Sequence, residues 1–100
     1  MLFTFNERKY ILQFEHVNYP DGERLTYGEF YFRVPETNAK AVLGHGTSYC
    51  SPKDNFSKSI GRKLAITRLL DDVQENGFFI DEKKQFRVEF WRQYFMQVKH

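Results

Sequence analysis

The sequence predicts an α+β fold: an antiparallel three-stranded sheet, a central helix packed on it, and a C-terminal amphipathic element. Three observations predict it. Apolar and polar residues alternate through much of residues 10–49, and Pro, Asp and Gly gather where the alternation breaks. From residue 56 the apolar residues switch to helical spacing. Eleven Phe, six Tyr and one Trp in 100 residues fill the role Leu and Ile usually share. Large aromatics bury much area per position, which a small core needs. A chain of this length reads as one domain, residues 1–100.

The elements follow in order. Tyr10, Leu12 and Phe14 alternate with Ile11, Gln13 and Glu15 as the first strand. Tyr19-Pro20-Asp21-Gly22 is turn chemistry, because Pro presets φ and Asp and Gly tolerate a tight bend. A second strand starts near Leu25, with Phe30, Phe32 and Val34 on one side and Glu29, Tyr31 and Arg33 on the other. Pro35 ends it by removing a ladder donor. Lys40 to Tyr49 is the third strand, and Gly44 and Gly46 within it signal a bulge or a close backbone approach. Phe3 and Phe5 hint at a short extra strand, too weakly to enter the expected sheet.

Ser51-Pro52-Lys53-Asp54 fits a capping box, with Asp54 as the alternative cap, so the helix is expected to start between 51 and 55. Phe56, Ile60, Leu64, Ile66, Leu69, Leu70 and Val73 make its buried arc, and Asn76-Gly77 stops it. Residues 82–98 carry two patterns. Phe86, Val88, Phe90, Tyr94, Met96 and Val98 alternate as in a strand. Phe86, Phe90, Trp91, Tyr94, Phe95 and Val98 also form a helical stripe containing Arg87, with Asp81 as cap and Lys99 and His100 at the C-terminal end. The helical pattern is preferred.

Charge is segregated. Residues 1–50 carry net −1, residues 51–68 net +4, residues 69–82 net −5 and residues 83–100 net +4. Such blocks orient a charged partner, and salt weakens them. No apolar run approaches the roughly 18 residues of a membrane span, and the N-terminal residues do not read as a signal peptide. Cys50 is the single cysteine, so no internal disulfide exists. A soluble, reducing compartment is expected, which is the cytoplasm.

The run from Cys50 through Pro52, Asp54, Phe56, Gly61-Arg62 and Ala65 to Arg68 resembles a motif of small phage-encoded proteins. Trp91-Arg92-Gln93-Tyr94-Phe95 resembles their C-terminal segment. The resemblance covers about a third of the chain, implies a phage or prophage origin and hence the host-cell cytoplasm, and transfers no catalytic residue. Three strands followed by a basic helix is also similar to the later part of double-stranded-RNA-binding domains. A first helix of that fold is lacking, and the cations are spread differently.

Five cations gather along the expected helix: Lys53, Lys58, Arg62, Lys63 and Arg68. Lys58, Gly61, Arg62, Ala65 and Arg68 are expected to share one side, where the small residues would let a phosphate backbone come close. An ordinary solvated face, with Gly61 and Ala65 making room for another helix, accounts for the same pattern. Asp71, Asp72 and Glu75 are expected to pair with Lys83, Lys84 or Arg87, or to form an acidic patch for a basic partner. His45 and Cys50 could be written as a nucleophilic dyad but lack a third group. One Cys and three scattered His do not supply structural zinc ligands. Gly44-His45-Gly46-Thr47-Ser48 lacks the Lys of a phosphate loop.

The expected function is therefore a non-enzymatic accessory protein of phage type that binds nucleic acid through Lys53, Lys58, Arg62, Lys63 and Arg68, without metal or cofactor. The rival is an inhibitor or adaptor that binds a host or phage protein. An enzyme using Cys50 ranks third.

Overall fold

The computed structural model describes residues 1–53 and 57–98. Its elements are β1 (Leu2–Phe5), β2 (Arg8–Asn18), β3 (Arg24–Arg33), β4 (Lys40–Cys50), α1 (Lys58–Glu75) and α2 (Lys83–Gln97). The strands form one antiparallel meander in the order β1-β2-β3-β4. Both helices lie on one face of it, α1 across β3 and β4 and α2 beside β1.

The expected three-stranded sheet with one central helix is thus corrected to four strands and two helices. Phe3 and Phe5 do form a strand, pairing Phe3 with Tyr10 and Phe5 with Arg8. The turn that joins it to β2 is Asn6-Glu7, with φ of 51° and 65°. Two successive positive φ values mark the type I′ hairpin turn, which usually carries Gly at its second position. Glu7 hides that signal. The four strands ahead of the first helix also depart from the double-stranded-RNA-binding arrangement.

The other turns match their chemistry. Gly22 has φ of 91° and its amide donates to Tyr19 O, while Asp21 Oδ1 accepts the Glu23 amide. In β4 the residue pairing shifts from Phe30↔Gly44 to Tyr31↔Val42, leaving Leu43 as a bulge. Gly44 and Gly46 are also close-approach positions. A Cβ on Gly44 would stand 2.7 Å from Val73 Cγ2, and one on Gly46 would strike Ala65 O and lie 2.5 Å from the Leu69 amide nitrogen.

α1 begins later than the expected 51–55. Ser57 is its N-cap, and its Oγ accepts the Ile60 amide at 3.3 Å. Ser51 Oγ instead accepts the Lys53 amide in a local turn. Asp54 and Phe56, assigned to the cap and the buried arc, lie outside the described residues, as do Lys99 and His100. At the other end Gly77 N donates to Gln74 O and Phe78 N to Val73 O. Those two bonds, with Gly77 at φ of 92°, are the Schellman stop that Asn76-Gly77 announced. α2 starts after Glu82 rather than Asp81, with no side-chain cap bond.

The core is aromatic. Phe3 is fully buried, with ring centroids 5.1 Å from Phe90, 5.6 Å from Phe86 and 5.9 Å from Phe30. Leu12, Ile66, Leu69, Leu70, Val73 and Tyr94 complete the layer between sheet and helices. Ile60 and Leu64 are not in it. Ile60 is 61% exposed, because α1 seats its small residues on the sheet and rolls the two large ones outward.

Both sheet edges are closed by helix side chains. On β4, Arg68 Nη1 donates to Thr47 O at 2.6 Å, the His45 amide donates to Asp72 Oδ2 at 2.8 Å, and Asn76 Nδ2 donates to Leu43 O at 3.0 Å. Positions 68, 72 and 76 recur at one helical turn, while 43, 45 and 47 recur at the strand period, so one helix edge stands in for a missing strand. On β1, Gln93 accepts the Thr4 amide at 2.9 Å and donates to Thr4 O at 2.6 Å, and Gln97 donates to Leu2 O at 2.7 Å.

Candidate nucleic-acid interface

The five cations do not form one face. Gly61 and Ala65, expected between them, point into the sheet. Ala65 is fully buried, Gly61 O accepts Ser48 Oγ at 2.8 Å, and a Cβ on Gly61 would stand 2.7 Å from Thr26 Oγ1. The close approach encoded by these small residues is to β3 and β4, not to a phosphate backbone or to the second helix.

Arg68 is drawn to the β4 edge by its bond to Thr47 O. The remaining helical cations lie around the first turns of α1. Lys58 opens the helix and is exposed. Arg62 is half-buried, its Nε donating to Tyr94 Oη at 3.4 Å. Lys63 places Nζ 5.5 Å from the centre of the Phe95 ring, a cation–π distance. Lys53 is exposed in the loop before α1, next to Pro52, which packs 3.2 Å from the Cβ position of Gly22. The β2–β3 turn, this loop and the start of α1 therefore share one end of the molecule.

Two residues at that end were missed. His16 follows Tyr10, Leu12 and Phe14 on the helix-covered face of β2 and its Nδ1 lies 3.0 Å from Thr26 Oγ1. Its pKa is held below 6.5, first by burial and then by the positive charges of Lys58 and Arg62. Arg24, exposed, pairs in register with Asn18 and Cys50 at the same end. The available signal for His16 was its place as the polar last member of an alternating buried face.

The acidic block is spent elsewhere. Asp71 pairs with Arg87, and Asp72 lies 3.7 Å from His45 Nδ1 while accepting its amide. The remaining ion pairs among the described residues are Lys40–Glu29 and Arg92–Glu89. None of these pairs includes Lys53, Lys58, Arg62, Lys63 or Arg68, and the N-terminus of α1 adds the positive end of its dipole. The uncovered sheet face differs. Tyr27 donates to Glu29 at 3.3 Å, and its pKa is raised by burial, then by Glu29 and Glu15. Carboxylates and cations are mixed on that face, with Lys40 held by Glu29 and both Arg33 and Lys40 over the Tyr31 ring.

The remaining candidates separate in space. Strand alternation turns His45 to the uncovered face and Cys50 to the opposite one, so they do not form a dyad. Cys50 is half-buried, its Sγ 3.6 Å from Ser51 O. Among the described residues no group of three or more His, Cys, Asp or Glu is placed to hold a metal, and no helix is long and apolar enough to cross a membrane. No protein-family model, curated protein or solved structure matches the chain.

Proposed function

We propose that this chain is a non-enzymatic accessory protein of phage type that holds nucleic acid at the N-terminal end of α1. One observation carries the reading: Lys58, Arg62 and Lys63 sit on the first turns of α1, with Lys53 in the preceding loop, and none is ion-paired with a described carboxylate. Phosphate contacts of this kind position a nucleic acid without reading its bases. Arg68 contributes least, since its guanidinium is engaged at the β4 edge.

Fluorescence anisotropy with labelled duplex and single-stranded oligonucleotides tests this. Four phosphate contacts predict that affinity falls about 100-fold between 50 and 200 mM salt, with a log–log slope near −3 to −4. Replacing Lys58 and Arg62 by Gln flattens that slope by about 2. Absence of binding at low salt would sink the reading.

A second reading has its own support. Ile60, Leu64 and Phe95 are exposed beside Lys63. An apolar strip edged by cations suits an acidic protein partner of an inhibitor or adaptor. Ile60→Ser, which removes the apolar contact without adding charge, would impair that role while leaving oligonucleotide affinity intact.

A further inference from the structure

At the opposite end of the sheet the two central strands part. The β2–β3 ladder stops at Ile11↔Tyr31, although β2 continues back to Arg8 and β3 runs on to Arg33. Each strand stays paired on its outer side, Tyr10 with Phe3 and Phe32 with Ala41. A cleft of 470 Å³ opens between them, within the roughly 300–1,000 Å³ of small-molecule sites.

Its lining has two chemistries. Tyr10, Phe32 and Pro35 are apolar, with the Tyr10 and Phe32 rings edge to face at a centroid distance of 6.3 Å. Arg8, Lys9 and Arg33 supply three cations against one acid, Glu7. None of the three cations is in an ion pair among the described residues. Arg33 is fixed in place, its guanidinium 5.3 Å from the Tyr31 ring centre and donating to Asn38 O at 3.3 Å. The Asn6-Glu7 turn sets the adjoining wall.

We propose that this cleft binds a small anion carried on a flat apolar body, such as an aryl carboxylate or a mononucleotide. The ring system would lie against Phe32 and the exposed edge of Tyr10, and its carboxylate or phosphate would meet Lys9 and Arg33, which strand alternation places on the same face. The site lies away from the cations of α1 and stands or falls separately from the nucleic-acid reading.

The test is an NMR titration of the isotope-labelled full chain with 2-naphthoate and with adenosine monophosphate. 2-Naphthamide and adenosine serve as neutral counterparts. Saturable shifts at the amides of Lys9, Tyr10, Phe32 and Arg33 are expected for at least one anion, with the neutral counterpart at least about threefold weaker. The responding anion tells the carboxylate source from the nucleotide source. Lys9→Gln weakens binding by about threefold or more. That variant complements Arg33→Gln, which also removes the bond to Asn38 O. Equal affinity for the neutral counterparts, no saturation by 10 mM of either anion, or a Lys9→Gln variant that binds as tightly would each overturn the proposal.

Discussion

α1 and α2 cover two halves of one sheet by opposite means. Over β4, contact is made by what is missing: Gly44, Gly46, Gly61 and Ala65 let the helix backbone settle almost onto the strand. Over β1, contact is made by bulk: Phe3, Phe5, Phe86 and Phe90 fill the space with rings. The first half tolerates no added atom, and the second tolerates no lost one. The edges follow the same division. Two charged side chains, Arg68 and Asp72, close β4 together with the neutral Asn76, whereas only neutral amides, Gln93 and Gln97, close β1.

The largest expected effects attack each half by its own weakness. Phe3→Ala leaves a cavity among five aromatic rings and should cost about 3–5 kcal/mol, a large share of the stability of a domain this size. Gly46→Ala should cost about 3 kcal/mol or more, because its new Cβ meets backbone atoms of Ala65 and Leu69 that cannot rotate away. Urea midpoints measure both. If Gly46→Ala were neutral, the close seating of α1 on β4 would be wrong.

Closing an edge matters less than filling a core. Asp72→Ala removes the acceptor of the His45 amide, a charge-assisted bond of about 2 kcal/mol. Gln93→Ala removes two neutral bonds to Thr4 that water can replace, and should cost about 1 kcal/mol. Amide exchange at His45 should accelerate in the first variant and at Thr4 in the second. Added salt should narrow the gap between them, because only Asp72→Ala deletes a charge, Gln93 being a neutral donor to Thr4 and Glu89. Acceleration at both amides in both variants would show that the edges are not closed independently.

The same division explains what could be read in advance. The ring-filled half was legible: β2 and β3 announced themselves by alternation, and Phe86, Phe90 and Tyr94 by a helical stripe that α2 buries. β1 was hinted at by Phe3 and Phe5 but escaped the expected sheet because Glu7 stands where a hairpin turn usually shows Gly. The small-residue half was misread. Apolar size placed Ile60 and Leu64 in the core and left Gly61 and Ala65 for a ligand, and the structure reverses both. Burial on a closely seated helix is decided by which residues let backbones meet, and a hydrophobicity pattern does not carry that. Of the candidate site, the cations of α1 were visible as charge, but Arg68 leaves them for the β4 edge. His16 joins them only through strand pairing with Thr26, beneath Gly61.

His16 yields the smallest effect, and it bears directly on the candidate interface. Its folded pKa is below the 6.5 of the unfolded chain, so between those two values the unfolded state binds more protons. Stability from the neutral imidazole is therefore complete above pH 6.5 and is lost as pH falls through the folded pKa. Burial is the largest cause, so replacing Lys58 and Arg62 by Gln should move the His16 titration back toward 6.5 only in part, and should shallow the pH dependence of the urea midpoint. A phosphate held by those cations would act in the same direction, because its negative charge favours the imidazolium. Oligonucleotide binding should thus raise the His16 pKa seen by NMR and take up protons near that pH. A His16 titration indifferent both to the double variant and to saturating oligonucleotide would separate it from the cation cluster and remove its value as a reporter of that end of α1.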